Sequence, residues 1–488
     1  MKALILSLYI ALFVFFAPLV QAQKVVYTDY APYDVRTSNL SIVGKVNGVL
    51  YTFRSYGKEY FLDAYNDEMG KTATIVLDFF PEKIYNVRFI PFEDKMLVLY
   101  QSQEGTRIIQ YAAMLNDKGM LQKTPLKIDE KRTSFFGVAG DKEFFSSAVS
   151  ENRNHIMVYS AHHKNRTLEF SGYWLDATLM KVTKKVKLNY KANEIVASND
   201  GIMSNTGQFF LPVFTLIGSR NFSDEYTILS VTKEEGVFRK STLNIGENYL
   251  EYPFQKIDNT NGKIHFASFY STKKNGNNEG VAAATFDING LNFATPNFIP
   301  FDDDMRGESG AKRRERALND FKINQLVIKN DGGFVVAAEE TYITTQSNFM
   351  PAMGFYSFYY TPVMSQSIRE YHYNDILLLS YNSNNQKEWH TFLRKEQYSQ
   401  EDAGMFSSYS LMNTGGGLGF LFNDFDARRS RIQLSSVSSE GKVNIGYMDA
   451  GAADDPDWLP RLGKQVDSRE IVVPCLRKKQ LCFAKIVL

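Results

Sequence analysis

One strand pattern recurs along almost the whole chain, and it limits the fold more than any other feature. Apolar and polar residues alternate with period two, and helical periodicity is almost absent. The runs are bounded by turn signals: Asn47-Gly48, Asp117-Lys118-Gly119, Asp200-Gly201, Asn261-Gly262, Asn289-Gly290 and Asp331-Gly332. Each unit reads as a first strand, a polar turn, a second strand rich in Phe, Tyr and Val, a loop, a third strand, and a short fourth strand. Second strands are read at Val49–Phe53, Lys95–Tyr100, Glu143–Ser147, Gln208–Val213, Lys263–Ser268, Gly333–Ala338, Leu418–Phe422 and Glu470–Pro474. Third strands follow, as at Arg107–Tyr111, Tyr226–Ser230 and Asp375–Ser380. That makes about eight units, spaced by roughly 40 to 80 residues.

Four-stranded units at such a period predict an all-β fold, a single β-propeller of seven or eight four-stranded blades, with eight preferred. The last unit supplies three strands, and the run Lys24-Val25-Val26-Tyr27-Thr28 is expected to add the fourth and close the ring. A pair of smaller β-domains is the competing architecture. The length of 488 residues suits either two to four domains or one large repeat array.

Composition removes other classes. A hydrophobic fraction of 44% with formal net charge +1 excludes disorder, and two cysteines exclude a disulfide-stapled miniprotein. The near-neutral charge speaks against a dedicated nucleic-acid binder.

Residues 1–22 read as a secretory signal, leaving 23–488 as the propeller domain. Lys2 supplies the positive start, Ala3 to Val20 the apolar stretch, and Val20-Gln21-Ala22 an A-x-A-like cleavage site. The alternative is a transmembrane anchor. No later segment approaches the roughly 18 apolar residues of a membrane helix. The expected product is exported, to the periplasm or cell exterior, with no spanning segment. Cys475 and Cys482 flank a short basic turn between two strands, which makes them a candidate cross-strand disulfide; two buried free thiols are the alternative.

Two segments interrupt the repeat. Asp302-Asp303-Asp304-Met305-Arg306 and Ala311–Leu318 predict one short helix between blades, over about 305–320. An insertion over about 341–368 carries no charge but is dense in aromatic residues, including Phe355, Tyr356, Phe358, Tyr359 and Tyr360. Long loops inside compact repeats are usually functional or disordered, and aromatic density opposes disorder. These five residues are the candidate partner-binding set; packing on the neighbouring blade is the alternative.

A string in the last third carries a family resemblance. It contains Asp331-Gly332-Gly333-Phe334, Tyr373-Asn374-Asp375-Ile376, Lys387-Glu388-Trp389, Leu411–Gly416, Phe420–Asp424, Pro460–Gln465 and Ile471–Cys475. Over about residues 320–488 this resembles a family of uncharacterised exported proteins of Bacteroidetes that are similar to β-propellers. The resemblance implies an envelope location in a Gram-negative bacterium and brings no catalytic residues.

Chemical motifs are sparse. Adjacent His162 and His163 point to opposite faces of a strand and make a poor metal pair. His265 and His390 lie within strands and are expected to be packed. Gly415-Gly416-Gly417-Leu418-Gly419 leads into a strand and lacks the helix start of a phosphate loop. Asp302-Asp303-Asp304 and Asp454-Asp455-Pro456-Asp457 could offer oxygen ligands to calcium, without EF-hand spacing. Otherwise no metal or cofactor is expected.

The expected function is therefore an exported, non-enzymatic binding or scaffold protein of the envelope. Its propeller loops would meet a protein, peptide or glycan partner. The alternatives are a glycan-processing hydrolase with carboxylates in the channel, and a soluble accessory component of an outer-membrane assembly.

Overall fold

The computed structural model describes residues 24–35, 38–132, 144–310, 316, 318–347, 367–426, 429–448 and 456–487. The secretory signal and the five aromatic residues Phe355, Tyr356, Phe358, Tyr359 and Tyr360 lie outside them. The described strands form eight separate antiparallel sheets, each built on a four-stranded meander, arranged as a β-propeller. In chain order the blades span 40–76, 84–132, 146–191, 195–242, 249–300, 321–400 and 409–448. The eighth joins 457–487 to 24–27.

The middle strands are buried on both faces, so they read as near-continuous apolar runs. The second strand of blade 2, Lys95–Glu104, shows how. Met96, Val98 and Tyr100 pack against blade 1, beside Val43, Phe53 and Leu62. Leu97 and Leu99 point the other way, against Ile156, Val158 and Tyr173 of blade 3. The same alternation recurs around the ring and yields eight core clusters, one at each interface between blades. Full burial of one such ring, Phe266 between blades 4 and 5, contributes about 2–3 kcal/mol.

Ring closure follows the expected route. Lys24–Tyr27 pairs antiparallel with the last strand, Val25 opposite Ile486 and Val26 opposite Lys485. Val25 packs into the core between blades 7 and 8, and Val26 into the core between blades 8 and 1. Thr28 extends the seam: its N–H donates to the Phe483 carbonyl at 2.9 Å, and its hydroxyl accepts from the Phe483 N–H at 2.9 Å.

Two expectations are corrected. The run at 143–147 is not a second strand. Ser146–Val149 is the first strand of blade 3, and Ile156–Lys164 is the second. Phe144 and Phe145, which immediately precede the strand, give the segment the aromatic look of a second strand.

The expected short helix is present over Asp303–Glu308, and most of the expected helical stretch Ala311–Leu318 lies outside the described residues. Asp302 caps its start by accepting from the Met305 N–H at 2.8 Å, and Met305 is buried between blades 5 and 6. Gly310, at φ +69°, turns the chain away from helical geometry.

The insertion is not a loop from its first residue. Phe334–Ser347 and Ser367–Tyr381 form one long hairpin, with Thr341 opposite Tyr373 and Ser347 opposite Ser367. Gln397–Gln400 adds a third strand, so blade 6 carries a β-arm. On it the Tyr342 and His372 rings stack 4.4 Å apart and nearly parallel, and Tyr398 lies tilted against His372 at 5.2 Å.

Replacing Val25 and Val26 together by Asp should cost about 3 kcal/mol in urea unfolding. It should also promote self-association through the freed edge Gln480–Val487, visible by size exclusion. Unchanged stability would mean that the ring does not depend on this strand.

Candidate functional site

First strands line the centre of the ring. Blades 2 to 7 enclose a cavity of about 870 Å³. A second cavity of about 510 Å³ lies against blades 8, 1, 2 and 3, and Arg88, Val149 and Glu151 line both. Together they make an open channel. The large cavity is lined by amides and hydroxyls such as Asn86, Ser147, Gln325, Asn330 and Asn413, set among small apolar surfaces.

Hydrogen bonds between blades fix this lining. The Gln101 amide donates to the Phe145 carbonyl at 2.9 Å and accepts from the Phe144 N–H at 3.1 Å, and Asn86 also donates to Phe145. At one mouth, turns after the first strands are tied in series. The Asn152 N–H donates to Asn205 Oδ1 at 2.9 Å, and the Asn205 N–H to Asn259 Oδ1 at 2.8 Å. Asn259 Nδ2 then donates to Glu151 Oε2 at 3.0 Å. Asn413 and Gln465 join blades 7 and 8 in the same manner. Gly201 is required where it stands, since a Cβ would fall 2.4 Å from the Phe209 ring.

The channel concentrates positive charge in a chain whose total is +1. Arg88 donates to the Ser147 carbonyl at 2.5 Å and to its hydroxyl at 2.9 Å. Arg153 donates to the Pro91 carbonyl. Lys464 donates to the carbonyls of Ile42 and Val43 at 3.2 and 2.9 Å. None of the three, nor Lys256 in the larger cavity, forms an ion pair among the described residues. Concave walls enclose Arg88 and Lys464 but leave their surfaces open to the channel. That enclosure, then the nearby Arg153 and Arg88, push the Lys464 ammonium below the usual lysine range. Arg88 is lowered by the same enclosure, partly offset by the carboxylate of Asp200.

Two of the three channel carboxylates already hold partners. Glu151 takes the Asn259 amide. Asp258 accepts from the N–H groups of Thr260 and Asn261, each at 3.0 Å, and from the Asn261 amide at 2.7 Å. Burial works against its charge, but these bonds outweigh it and hold its carboxyl below the usual range.

The sequence candidates fare unevenly. Cys475 and Cys482 stand directly opposite each other in the last hairpin, both buried, as thiols. Burial, and then contact with the Cys482 thiol, push the Cys475 thiol far up. His265 is buried against Phe334, at 5.1 Å between rings. His162 and His163 lie exposed on adjacent strand positions. Asp302 is spent on the helix cap and on Lys387, 2.5 Å away. Asp454 and Asp455 lie outside the described residues. Among those described, no group of three or more His, Cys, Asp or Glu is arranged to hold a metal ion. Gly415–Gly417 makes the turn into the second strand of blade 7. The sequence reading passed over Arg88, Arg153 and Lys464. The available signal was a lone cation within or beside a first strand.

No family model and no curated protein matches the chain in sequence. Solved structures do show likeness. One, from a study of two prolyl endopeptidases and their inter-domain dynamics, is 10% identical over 91% of this chain, with a TM-score of 0.44. Prolyl oligopeptidase B from Galerina marginata is 12% identical over 90% of this chain, with a TM-score of 0.41. This chain spans 55% and 56% of the length of those two proteins. A polysaccharide lyase, an ulvan lyase, is 10% identical over 81% of this chain and 90% of its own, with a TM-score of 0.38. At such identities no function carries across.

Burial also governs His265, and it outweighs the favourable carboxylate of Asp258, 3.7 Å away, so the ring stays neutral below its usual pKa. The unfolded chain therefore binds a proton that the folded one refuses. Stability is full above about pH 6.5 and falls as pH drops below it. His265→Leu should flatten the decline in Tm between about pH 7 and about pH 5; an unchanged slope would clear His265 of the effect.

Proposed function

We propose that the protein is an exported binding protein of the cell envelope that receives a glycan in its channel. The observation that carries this reading is the open channel of about 870 Å³, lined by amides and hydroxyls fixed through inter-blade hydrogen bonds. Preorganised polar groups lose little freedom on binding, so they suit a hydroxyl-rich ligand. Asn86, Gln325 and Asn330 can each donate and accept, as sugar hydroxyls require.

A second reading rests on the β-arm of blade 6, whose hairpin continues seven residue pairs from Thr341–Tyr373 to Ser347–Ser367. In this reading the arm presents Phe355, Tyr356, Phe358, Tyr359 and Tyr360 to a protein partner in the envelope. Aromatic side chains give large contact area at low entropic cost.

One experiment separates the two. Gln325→Trp should fill the channel and abolish glycan capture on an oligosaccharide array while Tm moves by less than about 3 °C. Replacing Phe358, Tyr359 and Tyr360 by Ser should leave glycan capture intact. Capture that survives the Trp and fails with the three Ser would transfer binding to the arm.

Export itself has a chemical signature. The support for it is the apolar run and cleavage-like site in residues 1–22, together with the register of the two cysteines. In an oxidising compartment Cys475 and Cys482 should close a disulfide. Protein recovered from the envelope and denatured should then titrate no thiol, and cytosolic protein two. Two thiols in the envelope form would overturn the bond.

A further inference from the structure

We propose that Arg88, Arg153 and Lys464 form an oxyanion subsite for a carboxylate or sulfate group carried by the channel glycan. The inference rests on the glycan-binding reading above and deepens it. All three side chains line the cavity of about 510 Å³ against blades 8, 1, 2 and 3, and Arg88 also lines the larger one. The subsite therefore adjoins the place where the rest of the ligand would lie.

The chemistry of the cluster is unusual for a structural role. Each cation is aimed by main-chain carbonyls of a first strand: Arg88 by Ser147, Arg153 by Pro91, and Lys464 by Ile42 and Val43. Carbonyls orient a cation without neutralising it. Like charges held together in a concave wall repel one another, and a bound oxyanion would relieve that repulsion. Guanidinium groups also match the planar or tetrahedral oxygens of carboxylate and sulfate with paired donors.

The negative groups nearby form no ion pair with the cluster. Glu151 shares the cavity and accepts from the Asn259 amide, and Asp200 acts on Arg88 through space. Lys464 feels both arginines, which places the three charges within electrostatic reach of one another.

The test compares three oligosaccharides of equal length by calorimetry: neutral, uronate-bearing and sulfated, with an oligoglutamate peptide as a fourth probe. Wild-type protein should bind at least one acidic glycan about tenfold or more tightly than the neutral one, with affinity falling as salt rises. The double variant Arg153→Gln, Lys464→Gln, at two positions that do not line the larger cavity, should lose that preference and keep neutral binding. Arg153→Lys with Lys464→Arg keeps the charges and should retain most of the preference, which separates charge from folding. The uronate and sulfate arms identify which oxyanion is read. Equal affinity for acidic and neutral glycans, or a preference that survives the double Gln variant, overturns the subsite and leaves the channel reading standing. Binding of no glycan overturns both. Tightest binding to the peptide overturns the glycan as the carrier.

Discussion

Everything in this molecule depends on strands that bury both faces at once. A two-layer sandwich needs one apolar face per sheet. Here Met96 and Val98 serve one neighbour while Leu97 and Leu99 serve the other. A sheet with two sticky faces can satisfy both only by stacking indefinitely or by closing into a ring. The ring removes the two terminal faces, but its last sheet lacks a strand. Lys24–Tyr27 supplies that strand and joins the two ends of the described chain across the whole architecture. Val25 and Val26 then divide their packing between the two interfaces of the final blade.

The same geometry makes the channel. Only the first strand of each blade has an edge toward the axis, where there is no further sheet to pack against. Its exposed edge takes polar side chains, and amides from a neighbouring blade hold it, as Gln101 and Asn86 hold Phe144 and Phe145. The core thus fixes the channel wall on one side while leaving its chemistry free on the other. That division explains how a chain with balanced total charge can carry a locally basic wall.

Legibility in the sequence follows this division. Doubly buried second strands such as Lys263–Ser271 and Gly417–Asp426 stand out because both faces are apolar. The first strand Ser146–Val149 is only four residues long, and the preceding Phe144 and Phe145 give the segment the look of a second strand. The arm was legible in part: Thr341-Tyr342-Ile343-Thr344-Thr345 has strong strand propensity, but its lack of charge made it read as a loop. The helix start was legible too, because Asp302 is a standard capping residue. The basic cluster was legible only as scattered single cations within or beside first strands. Lys464 meets Arg88 only because the ring closes, and no local pattern encodes that meeting.

Charges elsewhere in the fold sharpen the contrast. Lys395 is buried beside Glu339 at 2.8 Å, and Arg54 beside Asp63 at 2.7 Å. Arg220 likewise meets Glu251 at 2.8 Å. Each pairing is what burial demands, because an unpaired charge away from water is costly. Lys395 gains further acceptors from Tyr373 and Gln397, and Glu339 a donor from Ser408, so the ions at the base of the arm are well satisfied. Arg88, Arg153 and Lys464 differ from these ions in keeping their surfaces open to the channel, where water solvates them without a carboxylate. Their charge therefore faces solute, and an oxyanion carried into the channel would meet donors already aimed by strand carbonyls.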